Sequence, residues 1–233
     1  MKKSILLASL GIFSALQLAN AGDITGVITF KGARPAEIEL ADIKANSDCS
    51  PLYSGAVPST KYYIVSAAGG LADVVVSLKD VTGKSTGAGA APVVIDQKGC
   101  LYQPQLVAVQ TGQKIIVKNS DPCIHNVHDV SKAGNTEHND PQMPGGADLT
   151  YTFDKAEPFL KFKCDIHPWM FAWVTVVDSP YFSVSDKDGK FTIKNVPPGK
   201  YTLEIAHRKL GTQTAAIEVK DSGATQNFTF ESK

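Results

Sequence analysis

Residues 159–176 read FLKFKCDIHPWMFAWVTV, and upstream of them residues 119–128 read NSDPCIHNVH. In the first stretch, two runs rich in aromatic and β-branched residues flank a short break, the pattern of two strands joined by a loop. Cys164 ends the first strand and Trp173 begins the second, which leaves Cys164, His167 and Met170 on one tight loop. The second stretch follows the β-branched run KIIVK (residues 114–118) and a turn, so His125 opens the next strand. A soft thiolate with two imidazoles suits copper, and a weak thioether completes the set. The expected site is therefore one mononuclear copper per chain, held by His125, Cys164, His167 and Met170. Each element alone is weak: C-x-x-H occurs by chance, His125 could be a satisfied loop histidine, and Met170 could be plain core. The combination, in this order and between these strands, carries the reading.

Outward from this pair of segments almost every readable element is again a strand. Residues 23–30, 73–78, 190–194, 200–205, 215–220 and 226–230 alternate or are rich in β-branched residues, and Gly, Pro, Asp and Asn separate them. That spacing predicts an all-β chain of antiparallel sandwiches or barrels. Residues 36–45 could form a helical turn or two. Residues 83–91 (GKSTGAGAA) read as a flexible loop, and residues 134–149 (GNTEHNDPQMPGGADL) as a long polar one. Asp186-Lys187-Asp188-Gly189 reads as a turn entering a strand, because Asp-Gly tolerates positive φ.

The tail, DKDGKFTIKNVPPGKYTLEI followed by LGTQTAAIEV and NFTF, resembles the carboxypeptidase regulatory-like family, a small transthyretin-like (prealbumin-like) β-sandwich. The N-terminal ITGVITFKGARP with Gly70 to Val76 looks like the first half of the same sandwich, which would make the middle of the chain an insertion. Two consecutive domains with a boundary near Ser179-Pro180 are the plainer alternative. The organisation expected is residues 1–21 a signal peptide, 22–90 an N-terminal β segment, 91–178 the metal-holding domain and 179–233 the second sandwich.

The metal segments resemble the cupredoxins, most closely their amicyanin-like branch among plastocyanin-like blue copper proteins. The match is His125-Asn126-Val127-His128, then Cys164-x-x-His167-x-x-Met170 with Pro168 directly after the histidine. The resemblance covers roughly residues 92–178 and implies a Greek-key sandwich holding a type 1 copper. In it His125 and His167 bind through imidazole, Cys164 through thiolate and Met170 as a long axial ligand. Asn126 ties the ligand strand to the cysteine loop. The function it implies is one-electron transfer without turnover of a substrate, so not an enzyme. The partners implied are periplasmic redox proteins such as cytochromes or a quinoprotein dehydrogenase, as for methylamine-utilisation-type periplasmic proteins. Trp169, Met170 and Phe171 then form either an apolar collar round an exposed imidazole edge or ordinary packing. His128 packs or faces solvent, His207 reads as a surface residue, and Trp173 as the start of a buried strand.

Composition agrees with export. Lys2 and Lys3, an apolar stretch at residues 5–18 and Ala19-Asn20-Ala21 form a secretory leader, cleaved after Ala21 and delivering the chain to the periplasm. The apolar stretch is shorter than the ~20 residues that span a bilayer, so no membrane span is expected after cleavage. Without Lys2 and Lys3 the chain's 23 basic residues fall to 21 against 23 acidic ones, with no basic stripe, which argues against nucleic acid as a partner. Cys164 being a ligand, three cysteines remain. Cys49 and Cys100 are the favoured disulfide, both lying outside the metal segment. Cys123 is left as a buried small residue or a thiol close to the metal.

Several rivals stand beside the carrier. Zinc also takes Cys and His, but its structural sites usually carry more thiolates and no thioether. A copper oxidase or nitrite reductase needs further histidine clusters, for which His138 and His207 are too few and too scattered. Met143 and His138 on the long loop could supply an extra contact. A copper-handling protein without a redox partner, and a β-sandwich binding module with a decayed copper site, are the readings from other classes.

Overall fold

The structure, a computed structural model, describes residues 21–81 and 84–232; the leader read at residues 1–21 lies, apart from Ala21, outside them. The regular structure of the described residues is nearly all strand. It opens with β1 (Gly22–Lys31), the single-turn helix α1 (Asp42–Ala45) and β2 (Val75–Leu78). There follow β3 (Val93–Gln97), β4 (Tyr102–Gln103), β5 (Leu106–Gln110), β6 (Ile115–Asn119), β7 (His125–Val130), β8 (Asn139–Gln142), β9 (Leu149–Tyr151), β10 (Glu157–Lys163) and β11 (Phe171–Val177). The chain closes with β12 (Phe182–Val184), β13 (Lys190–Val196), β14 (Gly199–His207), β15 (Gly211–Val219), β16 (Ala224–Thr225) and β17 (Phe228–Glu231).

These strands make two sandwiches. In the first, the sheet β5-β11-β10-β7-β8 and the sheet β4-β3-β6-β9 share one core. Ile95, Ile115, Val117, Tyr151 and Phe162 fill it together with Cys164 and Met170. In the second, β1 with β13, β16 and β17 shares a core with the sheet β12-β2-β14-β15. There β1 shows why alternation makes a strand: Ile24, Ile28 and Phe30 are buried while Asp23, Thr25 and Thr29 are half exposed. Each such apolar side chain contributes roughly 1.5–3 kcal/mol by leaving water. The first two strands of the chain thus share a sandwich with the last six, and the first sandwich lies between them in sequence. The Asp186–Gly189 turn that feeds β13 uses Gly189 at φ 77°, with its N–H donating to the Asp186 carbonyl at 2.9 Å. A Cβ at Gly189 would also sit 2.1 Å from the Ile28 carbonyl oxygen, so only glycine fits against β1.

A small apolar seam joins the sandwiches: Val75, Leu106 and Ala108, with Phe159, Trp173, Phe182 and Val184 against them. Here the sequence reading needs correcting. Trp173 is half-buried in this seam rather than core, and the Arg208 guanidinium caps its ring at 3.5 Å. His207 is buried, not a surface residue: β14 turns it inward between Tyr63 and Phe230, at ring-centroid distances of 5.9 and 6.1 Å. The loop read at residues 134–149 contains β8, which pairs antiparallel with β7 from His125↔Gln142 to His128↔Asn139. As an edge strand it needs few apolar residues, and it buries Gln142 instead.

Candidate metal centre

Local rules place the ligand segments. After β6, the Asn119 side chain accepts the Asp121 N–H and donates to the carbonyls of Cys123 and Gln142, each at 3.0 Å. This ties the turn down so that β7 begins at His125. β10 and β11 pair antiparallel up to Lys163↔Phe171, which closes residues 164–170 into a compact loop. Within that loop the Met170 N–H donates to the His167 carbonyl at 2.8 Å, and the Cys164 N–H to the Met170 carbonyl at 3.3 Å. Asn126 locks loop to strand: its Oδ1 accepts the Asp165 N–H at 2.7 Å and the Cys164 thiol at 3.3 Å.

Three of the four residues singled out in the sequence converge. His125 Nδ1 lies 2.9 Å from His167 Nδ1, and Cys164 Sγ lies 3.8 Å from that same nitrogen. His125, Cys164 and His167 each offer a ligand atom within 4.8 Å of the others, and all three are buried. Met170 is wholly buried on the same loop and packs in the same core. With bonds of about 2.0 Å to nitrogen and 2.3 Å to sulfur, a four-coordinate ion holds its nitrogens ~3.3 Å apart and sulfur ~3.6 Å from nitrogen. The observed spacings are within a few tenths of an ångström of these, so the donors fit a small soft or borderline cation. Nε2 of His167, the ring nitrogen turned away from His125, is buried and has no partner among the described residues.

The electrostatics make the Cys164 thiol easier to ionise than an ordinary one. Burial pushes the Cys164 thiol up, but His125 and the backbone N–H groups of the loop outweigh it and bring it below its ordinary value. Burial likewise pushes His125 down, yet the Asp121 carboxylate and Cys164 raise it overall. For His167, burial and the neighbouring His125 both favour the neutral ring.

Two residues lie directly behind His125: Asp121, which sequence reasoning missed, and Cys123, which it left as a buried small residue or a thiol close to the metal. Asp121 accepts from His125 Nε2 at 3.0 Å and from the N–H groups of Gly99 and Cys100 at 2.6 and 2.7 Å. That contact fixes the tautomer: the proton sits on Nε2, and the Nδ1 lone pair faces Cys164 and His167. Cys123 Sγ lies 3.6 Å from the same Nε2. A polar turn residue four positions before the ligand was the available signal for Asp121. Met143 is exposed, and His138 pairs with Asp129 at 2.7 Å, so neither enters the cluster. His128, half-buried, pairs with Asp165 at 2.7 Å.

Of the two readings of Trp169, Met170 and Phe171, the collar round an exposed imidazole edge is not what the structure shows. His167 has no solvent exposure, because Trp169 stands against it at 5.3 Å and the Cys49–Cys100 disulfide lies beside it. The disulfide anchors a cover in which Leu40, Ile43 and Val57 join the core that holds Cys164 and Met170. Tyr53 Oη donates to the Gly99 carbonyl at 2.5 Å, and Trp169 Nε1 to the Cys100 carbonyl at 3.1 Å. Phe171 is buried and stacks on Tyr62.

Among the described residues no helix is long and apolar enough to cross a membrane. The family model of the ER membrane protein complex subunit 7 β-sandwich domain matches residues 172–231; this, and not the carboxypeptidase regulatory-like family, is the match to the tail. No curated protein matches the chain. Among solved structures, the copper-containing nitrite reductase of Thermus scotoductus is similar over 38% of this chain and 24% of that one, at 22% identity and a TM-score of 0.34. The chain therefore spans about a quarter of that enzyme. An oxidised variant of amicyanin is similar over 43% of this chain and 97% of that one, at 21% identity and a TM-score of 0.34. The purple cupredoxin of Nitrosopumilus maritimus is similar over 37% of this chain and 99% of that one, at 23% identity and a TM-score of 0.31.

Proposed function

We propose that the chain is an exported, periplasmic electron carrier with one type 1 copper bound by His125, Cys164, His167 and Met170. The observation that supports this most is the convergence of two imidazole Nδ1 atoms and one thiol in a buried cluster, at 2.9 and 3.8 Å. Bound there, copper supplies a single-electron couple, favoured by thiolate and imidazole donors together. The protein's part is to hold the donors still. Asn126 fixes the cysteine, Asp121 fixes the tautomer of His125, and the paired strands β7, β10 and β11 fix the loop. Complete burial of His125 and His167 excludes water, so little reorganises when the charge changes.

Electrons enter and leave near His167 through the half-buried Trp169, with the exposed Ile166 and Pro168 beside it as a small docking face. Weak redox encounters use small interfaces of this kind. Partners are periplasmic cytochromes or a quinoprotein dehydrogenase, and no substrate is turned over. In domain terms, residues 91–178 carry the site, while residues 22–90 and 179–233 brace it.

The test is stopped-flow mixing of the copper-loaded protein with a c-type cytochrome, alongside its optical spectrum. An intense thiolate-to-copper band that bleaches as the cytochrome is oxidised supports the carrier, and Cys164→Ser removes the band with the fold kept. A coloured protein that exchanges no electrons would instead be a copper-handling protein. A folded protein that takes up no copper would leave a β-sandwich binding module.

A further inference from the structure

The sulfur and oxygen atoms behind His125 are arranged with as much order as the cluster in front of it. Cys100 Sγ lies 3.8 Å from Cys123 Sγ, Cys123 Sγ 3.6 Å from His125 Nε2, and His125 Nε2 3.0 Å from Asp121 Oδ2. All four residues are buried, and their ligand atoms lie within 4.8 Å of one another. A tetrahedral ion of the zinc type, with bonds of about 2.3 Å to sulfur and 2.0–2.1 Å to nitrogen or oxygen, needs ligand spacings of ~3.8, ~3.6 and ~3.3 Å for the same three pairs. The set of two cysteines, one histidine and one carboxylate is a complete four-ligand sphere. One member is withheld: Cys100 is bonded to Cys49.

We propose that Cys100, Asp121, Cys123 and His125 form a second metal site, open to a divalent ion of the zinc type when the Cys49–Cys100 disulfide is reduced and closed when it is oxidised. A dithiol supplies the two electrons and two protons: the Cys49–Cys100 bond breaks to give two thiols, and the dithiol closes to its own disulfide. The ion then displaces the thiol protons of Cys100 and Cys123 to solvent and takes a lone pair from Asp121. It takes a second lone pair from His125 Nε2: the Nε2 proton leaves to solvent, His125 Nδ1 takes the proton it shares with His167 Nδ1 2.9 Å away, and His167 is reprotonated from solvent at Nε2. A neutral imidazole has one lone pair, so His125 serves either the front cluster or the rear site. The disulfide thus assigns His125 to the front cluster, and its reduction hands the histidine to the rear site. This goes beyond the carrier reading, and the rear site stands without it.

The test removes the front cluster and reads the rear site with Co(II), whose thiolate complexes absorb in the near ultraviolet. In a Cys164→Ala background, adding Cys49→Ala frees Cys100 from its disulfide, and a reductant keeps it from pairing with Cys123 instead. This double variant, shown folded by circular dichroism and kept under a phosphine, is expected to bind one Co(II) with thiolate absorption. Zn(II) should displace it. The Cys164→Ala protein with its disulfide intact should bind at least 100-fold more weakly, and adding Cys123→Ala or Asp121→Asn to the double variant should weaken binding tenfold or more. If the double variant does not fold, Cys164→Ala treated with the phosphine alone gives the same reading. Absence of Co(II) uptake by folded, reduced protein overturns the proposal, as does uptake indifferent to Cys123→Ala. The copper spectrum of the oxidised native protein reports separately on the front cluster, so failure of one reading is not failure of the other.

Discussion

His207 and Asp73 line the same small cavity, of about 20 Å³, between the sandwiches, and burial moves their pKa values in opposite senses. Burial, the larger effect, pushes His207 down from 6.5 to about 4, and Asp73 up from 3.8 to about 6. A histidine whose folded pKa is depressed stabilises the fold fully above pH 6.5 and loses that contribution as pH falls towards 4. A carboxyl whose folded pKa is raised does the reverse, with its contribution fullest below pH 3.8 and lost as pH rises through 6. At 1.36 kcal/mol for each pKa step, each group is worth about 3 kcal/mol across its window. Between pH 4 and 6 the two nearly cancel in the native protein. His207→Leu should therefore unmask Asp73: relative to native, its stability falls by about 3 kcal/mol as pH rises from 4 to 6.5. Asp73→Asn should unmask His207, its stability relative to native rising by a similar ~3 kcal/mol over the same interval. Urea unfolding of metal-free protein at half-unit pH intervals measures both, and comparison with native removes the other titrating groups. If the two difference curves are flat, or share a sign, the opposed burial of this pair is wrong.

Two further expectations concern the metal site. Replacing Cys49 and Cys100 by alanine opens a cross-link spanning 51 residues, which in the chain-entropy model costs about 4 kcal/mol. Urea unfolding should show that loss, and the copper-loaded variant should be oxidised several-fold faster by ferricyanide because His167 is uncovered; an unchanged rate means the cover does not limit access. Met170→Gln should lower the reduction potential, since a harder oxygen donor favours Cu(II), while changing copper affinity less. Voltammetry that finds the native potential would make Met170 plain core.

The all-β architecture was legible because β-branched and aromatic runs, broken by Gly, Pro and Asp, mark strands by local chemistry alone. The segments around His125 and Cys164 could be read for the same reason: each ligand sits at the end of a strong strand. What was not legible depends on contacts made far along the chain. β8 was hidden because Asn139, Asp140 and Pro141 look like a loop until β7 pairs with them. His207 reads as polar and exposed within AHRKLG, and only the register of β14 turns it inward between Tyr63 and Phe230. The cover over His167 has weak local propensity, with helix α1 only four residues long, and is held by Cys49–Cys100 and by Tyr53 reaching Gly99. Asp121 gained its place behind His125 from a turn that reads, in one dimension, as mere punctuation, and the same turn decides between the two readings of Cys123 by setting its thiol 3.6 Å from His125 Nε2.

X-ray absorption at the copper edge, on protein loaded with one equivalent of Cu(II), bears most directly on whether distant segments grip one ion. One short sulfur and two imidazole nitrogens about the copper, with the sulfur lost in Cys164→Ser, is the predicted outcome. A shell of oxygen and nitrogen only, unaffected by that substitution, would contradict it.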